Sequence, residues 1–498
     1  MPPARWVCMS DLHLGALNSV LSAVHPDGMS VDPAAVSPVL TALARCIEAL
    51  GVPGAEPPTL MVLGDMFELA LTSTDVAAAT FGHLVRALRI GEGDAAVAPE
   101  IHFVPGNHDH HLWARARDDH FLDGLAVAGR SRLPAALHAT HLLPANDRRP
   151  VRDRFTEILA ARAGGGGRTV VRQSYPNVGL VDRSGKRAVV LSHGHFTEPL
   201  YRLMSRLDDV FGTAGDQRGE AWHLEADNGA WIDFFWSSMG DSGDVGGVVR
   251  ALYESLESVE AMDEEIADIR RALVRSRRPR LVARLEAAVV ARLLRSLTEA
   301  GIARERHRKE DVLSQHAEAG LASYLEGPVA TQLRAEVGAP EVTTFVFGHT
   351  HKPFVRPGDA MGSSGWSVVN TGGWVVDTPE DDPLKGASLV VVDGDANVAV
   401  VRCYQEGPDP GCYLVRVEGV AGDEANPLVA ELSASVDASR DPWRALSEAL
   451  RSTVAERSEQ LRARLDAGIR PSGPGPSDVA EPTATRKGTD PASVGARP

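Results

Sequence analysis

Cysteine is scarce in this chain: four residues of 498, Cys8, Cys46, Cys403 and Cys412, with no CxxC or zinc-ribbon spacing among them. That excludes a disulfide framework as the organising principle and suits a reducing compartment. Cys8 falls within the first apolar segment, where a free thiol behaves as a small hydrophobe. A basic excess is also missing, since 51 Lys and Arg face 67 Asp and Glu, for a net charge of -16. A general nucleic-acid binder needs the opposite sign, so no long nucleic acid is expected as a partner. No apolar run reaches the roughly 18 residues of a membrane helix, so no transmembrane segment is expected. The chain enters an apolar strand at Arg5, which leaves no room before it for a signal peptide, and the expected location is cytoplasmic. Internal repeats are absent.

What is present is ordinary for a soluble α/β chain, with 43% hydrophobic and 24% charged residues. The length suits two to four domains or one elaborated domain. Apolar runs at Arg5 to Met9, Pro57 to Leu63 and Ile101 to Val104 read as strands. Helical patterns cover about Asp32 to Leu50, with Ser30 as cap, and Ser73 to Ile90. Such alternation implies βαβ units with functional residues at the carboxyl ends of strands. Further strands are expected at Arg187 to Ser192 and within Pro340 to Phe347. Closing antiparallel strands are expected at Trp366 to Asn370, Ala387 to Val392, Asn397 to Tyr404 and Tyr413 to Val420. Gly164 to Gly167 reads as a hairpin tip or loop.

Between His193 and Gly348 the pattern changes. Apolar residues at 249, 252, 256, 259, 262, 266, 269 and 273 form a helix seam, and helices are also expected over Arg280 to Glu299 and Arg306 to Glu326. This stretch reads as a helical cap, as a coiled-coil hairpin or as a dimer surface, without fixing an oligomeric state. A last helix is expected over Pro442 to Ile469, followed by a Pro, Gly and Ser-rich tail with the composition of disorder.

Five short segments carry chemistry: Asp11-Leu12-His13, Gly64-Asp65, Gly106-Asn107-His108-Asp109, Ser192-His193-Gly194-His195 and Gly348-His349-Thr350-His351. Each sits at or just after an apolar run. Together they offer carboxylate, amide and imidazole donors, which suit Mn, Fe, Zn, Ni or Co. Phosphoester hydrolysis at neutral pH needs an activated water and positive charge on the phosphoryl oxygens, and two cations roughly 3.5–4 Å apart supply both. In the fourth segment His193 follows the strand directly, while His195 remains an alternative ligand. His110 and His111 extend the third segment, either as substrate contacts or as exposed loop residues.

The ordered pattern D-x-H, G-D, G-N-H-[DE], H, G-H-x-H resembles the calcineurin-like metallophosphoesterase superfamily, over about Arg5 to Tyr404 less the helical insert. The resemblance implies a four-layer α/β/β/α sandwich with a large helical cap insert and a dinuclear centre of two divalent transition metal ions, Mn foremost in vitro. It implies that Asp11, His13 and His351 bind one metal, that Asn107, His193 and His349 bind the other, and that Asp65 bridges them. His108 would be the general acid or oxyanion stabiliser, with Asp109 orienting its imidazole. The implied domain organisation is 1–199 and 341–425 for the two parts of the catalytic domain, 200–340 for the cap, 426–469 for a helical extension and 470–498 for the tail.

Gly64-Asp65-Met66-Phe67-Glu68 departs from the G-D-x-V-D-R-G of the Ser/Thr protein phosphatases. The runs SDLHLG, LGDMFEL and GHTHKP look more like bacterial members that act on small or lipid-linked phosphoesters, one branch of which has Arg where this chain has His108. A cyclic-nucleotide phosphodiesterase or nuclease, and a non-catalytic scaffold on the same fold, are the competing readings. Trp231 to Trp236 concentrates aromatics, either as an acyl-contacting surface giving peripheral membrane contact or as an anchor between insert and body. Arg270, Arg271, Arg275, Arg277, Arg278, Arg280 and Arg284 form either an anion clamp or a solvated helix face. Asn370 to Trp374 reads as a loop beside the site or as a plain glycine turn.

Overall fold

A computed structural model of the chain describes residues 4–52, 54–128, 133–143, 150–164, 169–205, 220–238, 311–357, 366–420 and 426–466. The expected helices at Val249 to Leu273 and Arg280 to Glu299, the arginine stretch at 270–284 and the tail at 470–498 lie outside these residues, as do Gly165 to Gly167. The described chain is mixed α/β, with two mixed sheets and a small ribbon.

The eight-stranded sheet is built on a parallel centre, β1 (Trp6–Met9), β4 (Thr59–Leu63), β5 (Glu100–Val104) and β7 (Val170–Gln173). Antiparallel strands extend it on both sides: β13 (Gly386–Val392), β14 (Val398–Gln405) and β15 (Arg416–Gly419) beyond β1, and β6 (Val151–Arg152) beyond β7. The five-stranded sheet runs β11 (Phe354–Pro357), β12 (Trp366–Asn370), β10 (Val342–Phe347), β9 (Arg187–Ser192) and β8 (Asn177–Val181). Here β12, β10 and β9 are parallel and the two edges antiparallel. The antiparallel expectation for Trp366 to Asn370 therefore fails against β10 and holds only against β11.

Three apolar clusters organise these elements. One joins Cys8, Met61, Leu63 and Val104 of the first sheet to Val178, Val189, Leu191, Val346 and Val369 of the second. Since neighbouring strand residues face opposite ways, the alternate residues Val7, Met9, Leu60 and Val62 enter a second cluster with the helices α1 (Pro38–Ala49) and α2 (Thr74–Ala87). In the second sheet Ala188, Val190, Phe345 and Phe347 likewise turn to a third cluster.

Helix α1 starts later than its periodicity suggested. Pro33 disfavours helix at Asp32, so 31–36 instead forms β3 (Val31–Val36), paired with β2 (Ser22–Val24), and Ser37 accepts from Val39 N to cap a helix with Pro38 at its first turn. Among the described residues the remaining helices are α3 (His110–Val127), α4 (Arg154–Ala163, closed by Gly164), α5 (Ala221–Ile232), α6 (Gln315–Tyr324), α7 (Ala330–Glu336), α8 (Pro427–Ala438) and α9 (Arg440–Asp466). Helices α3, α4 and α8 escaped the sequence pattern, and α5 and α7 fall in the stretch read only in general terms as a helical cap. Of the expected helix over Arg306 to Glu326, residues 306–310 lie outside the described chain and α6 begins only at Gln315, with Ser314 capping Ala317 N. A π-helical turn at Leu325–Val329 accommodates Pro328, which has no N–H to donate, before α7.

The described insert helices lie on the second sheet's outer face. Leu224, Ile232, Trp236, Leu321, Tyr324 and Leu333 share the third cluster with Phe345 and Phe347. Trp236 is thus an anchor, while Phe234 is exposed. At the other end α9 lies along α1, with Leu446, Leu450 and Val454 buried and Arg457 and Arg464 donating to the carbonyls of Ser22 and Gly28. Leu450→Ala should destabilise the protein by about 2–5 kcal/mol through lost burial and a residual cavity, read as a lowered midpoint in chemical denaturation.

Candidate metal centre

The five segments meet where the parallel strands of both sheets end. Asp11 follows β1, Asp65 follows β4, Asn107 follows β5, His193 follows β9 and His349 follows β10. Backbone bonds lace the loops together: Asp11 N to Gly64 O (3.1 Å), His13 N to Asp65 O (2.8 Å) and Gly348 N to His193 O (2.9 Å). The Asp11 carboxylate also accepts from His349 N, at 2.9 Å on Oδ2, which ties the first sheet to the second.

Three of the motif glycines exist because a side chain of the cluster occupies the space a Cβ would need, and at Gly64 that side chain is the His193 imidazole. At Gly106 that Cβ would overlap the Asp65 carboxylate, and at Gly348 it would overlap Asp11 Oδ2 and Ser10 Oγ. The backbone is strained at the cluster residues themselves. Seven non-glycine residues have positive φ among the described residues, and five are Asp11, His13, Asp65, His349 and His351. Each such residue costs about 1–3 kcal/mol, and strain of this kind persists where surrounding structure over-determines it, as at functional sites.

The side chains converge and are buried. Asp11, His13 and His351 form one group able to hold a metal ion, and Asp65, His193 and His349 form another. Asn107 Oδ1 lies 3.0 Å from His193 Nε2, joining the second group. Asp65 Oδ2 stands between the two, 3.7 Å from His13 Nε2 and 3.4 Å from His193 Nε2. Neither Asp65 Oδ2 nor His13 Nε2 makes a hydrogen bond to the protein, although both are buried. Buried polar atoms are normally satisfied, so these two fit a cation that they would share the work of holding.

Outward-facing nitrogens of the ring set are held by carboxylates or a carbonyl, the arrangement that orients metal-binding histidines. His13 Nδ1 meets Glu68 Oε2 at 2.8 Å, His193 Nδ1 donates to Leu63 O at 3.0 Å, and His351 Nδ1 meets Asp377 Oδ2 at 2.8 Å. Asp377 is in turn paired with the buried Lys385 at 2.7 Å.

Electrostatics follow the geometry. Burial pushes the carboxyls of Asp11, Asp65 and Glu68 up, but the facing imidazoles outweigh it and hold all three below the usual carboxylate range. His13 is depressed by burial, yet the Glu68 hydrogen bond and the charges of Glu68, Asp65 and Asp11 push it up to about 9.

His108 lies beside this centre, its ring edge-on to His13 at 4.8 Å. The expected role of Asp109 in orienting it is not what the structure places there. Asp109 spends its carboxylate on backbone amides instead: Gly106 N at 2.7 Å, Met66 N at 2.7 Å and Phe67 N at 3.2 Å. Burial and the Asp65 charge push its pKa up to about 8, against those three amides, which lower it. Its task is to bind the second and third loops to each other. The carboxylate that orients His108 is Glu68, whose Oε1 lies 2.8 Å from His108 Nδ1. Glu68 also forms a group with His13 and His108 that could hold a metal ion. The only sequence signal for Glu68 was its place three residues after Asp65, directly after an apolar pair.

His195 is turned away, its Nε2 2.9 Å from the Tyr175 hydroxyl, which leaves His193 as the member of the fourth segment in the cluster. His110 and His111 are not loop residues but open α3. His110 is buried, 3.1 Å from both oxygens of Glu225, and His111 meets Asp233 at 3.2 Å. Asn370 to Trp374 lies against the centre: Asn370 Nδ2 donates to Gly348 O at 2.7 Å, and Trp374 N donates to Asp11 O at 3.0 Å.

The chain matches no family model and no curated protein. Among the described residues no helix is long and apolar enough to cross a membrane. Gly348→Ala should displace Asp11 and weaken metal binding while the far-UV circular dichroism stays native. Unchanged metal affinity in a titration of that variant would contradict the close-packing argument.

Proposed function

We propose that this protein is a dimetal phosphoesterase of the calcineurin-like kind. The observation that carries the reading is the placement of Asp65 Oδ2 between His13 Nε2 and His193 Nε2, each with its own buried ligand group behind it. The three apolar clusters support the four-layer α/β/β/α reading, with helices outside each sheet and an apolar layer between the sheets. On this reading Asp11, His13 and His351 hold one ion, Asn107, His193 and His349 the other, and Asp65 both. When bound, two divalent cations would neutralise phosphoryl charge and acidify water at neutral pH.

The chain's own residues divide the remaining work. Glu68 fixes the His13 and His108 rings with one carboxylate, so the first metal site and the acid are set by the same group. With Nδ1 on Glu68, the other nitrogen of His108 is the one that would deliver a proton to the leaving oxygen. The proposed substrate is a small-molecule or lipid-linked phosphoester, cleaved by hydrolysis of one P–O bond.

Three variants and a Mn-supplemented panel of a phosphomonoester, a phosphodiester, cyclic nucleotides and a nucleotide-diphospho-lipid test this. Asp65→Asn should reduce hydrolysis to background; wild-type-like turnover in that variant with metal replete would end the proposal. His108→Ala should keep its metals and slow turnover by roughly 10²–10⁴. Glu68→Gln leaves one amide oxygen to serve two imidazoles, so it should lower both metal affinity and turnover. A chain that binds no metal in excess Mn would point to a scaffold instead.

A further inference from the structure

Three of the four cluster imidazoles take the partner of their outward nitrogen from the two-sheet body: Glu68, Leu63 and Asp377. The fourth does not. His349 points Nδ1 inward, 3.2 Å from His193 Nε2, and turns Nε2 outward to within 3.2 Å of Glu198 Oε1. Glu198 belongs to the segment that leads from the fourth motif into the helical insert, between the 3-10 turns His195–Thr197 and Pro199–Arg202. It stands outside all three ligand groups.

We propose that Glu198 is a positioning residue that sets the His349 tautomer and couples the second metal site to the seating of the insert helices. The proposal rests on the dimetal reading above. The 3.2 Å approach is a charge contact without hydrogen-bond geometry, so the Glu198 carboxylate favours a ring proton at Nε2 electrostatically and leaves the Nδ1 lone pair for the metal. Without it the neutral ring distributes its proton over both nitrogens, and the ligand atom is blocked part of the time.

The backbone segment that carries Glu198 is packed against the insert. Gly320 of α6 sits so close to Thr197 O, the carbonyl preceding Glu198, that a Cβ there would overlap it. Arg202, just beyond Glu198, donates to Phe196 O and reaches Gly320 O at 3.4 Å. Tyr201 places its ring edge-on to His349 at 5.2 Å. From the fifth motif, Lys352 Nζ donates to Asp311 O, three residues before the cap of α6, at 3.1 Å. Helix α6 therefore bears on the fourth and fifth loops, which supply His193 and His349 of the second site, and Glu198 is where that bearing meets His349.

The test is a calorimetric Mn²⁺ titration of the metal-free full-length chain, with thermal unfolding of each metal-free variant beside it. Wild type should take up two equivalents. Glu198→Ala should retain the first and weaken the second by roughly 10–100-fold, the usual effect of losing a group that orients a ligand. Glu198→Gln keeps the shape and a carbonyl dipole beside Nε2 but removes the charge, and should fall between. Gly320→Val presses on Thr197 without touching the centre and should reproduce the selective loss. An unchanged second equivalent in Glu198→Ala, or equal weakening of both with a lowered unfolding temperature, overturns the proposal. A wild-type chain taking up fewer than two equivalents overturns the dimetal reading and this proposal with it.

Discussion

The structure turns on one buried carboxylate held between two imidazoles. Asp65 leaves a strand of the first sheet and faces His193, which leaves a strand of the second, while His13 flanks it from the first loop. Carboxylates removed from water are costly unless positive charge compensates them. Asp11, Asp65 and Glu68 are all buried within this one cluster, so the fold concentrates negative charge among imidazoles and a few backbone amides. The pairing of the two sheets, the glycines at the loop tips and the left-handed residues of the cluster all serve that convergence.

Holding it has a cost that other parts of the molecule offset. Five strained positions in the cluster are tolerated because the loops are bonded to each other and flanked by apolar layers on both faces of each sheet. Asp109 illustrates the division of labour, since it lies next to His108 in sequence yet acts on the backbone of the neighbouring loop. Orientation of the imidazoles is delegated to groups farther away along the chain. Glu68, Asp377 and Glu198 come from three different segments, and only the last connects the centre to the insert.

Much of this was legible in the sequence where the signal was local. An apolar run followed by Gly-Asp or Gly-His marks a parallel strand ending in a residue of the buried cluster, and the strands delivering His193 and His349 have the bounds that their hydrophobicity suggests. Proline and cap chemistry, by contrast, decided the start of α1 against its periodicity. Residues whose role depends on distant partners were not legible. Nothing near Glu68 in sequence says that it meets both His13 and His108, and nothing near His110 says that it is buried against Glu225, 115 residues away. Adjacency suggested Asp109 for the first of these roles, and the turn at the start of α3 sends its carboxylate elsewhere.

The most direct test of the account is crystallographic. Crystals grown with Mn²⁺, with diffraction recorded at the manganese absorption edge, report metal positions independently of any assay. The account predicts two anomalous peaks on either side of Asp65 Oδ2, separated by roughly 3.5–4 Å. One peak should be bounded by Asp11, His13 and His351, and the other by Asn107, His193 and His349. No peak at Asp65, or a single ion that leaves one of those groups empty at saturating Mn²⁺, would contradict it.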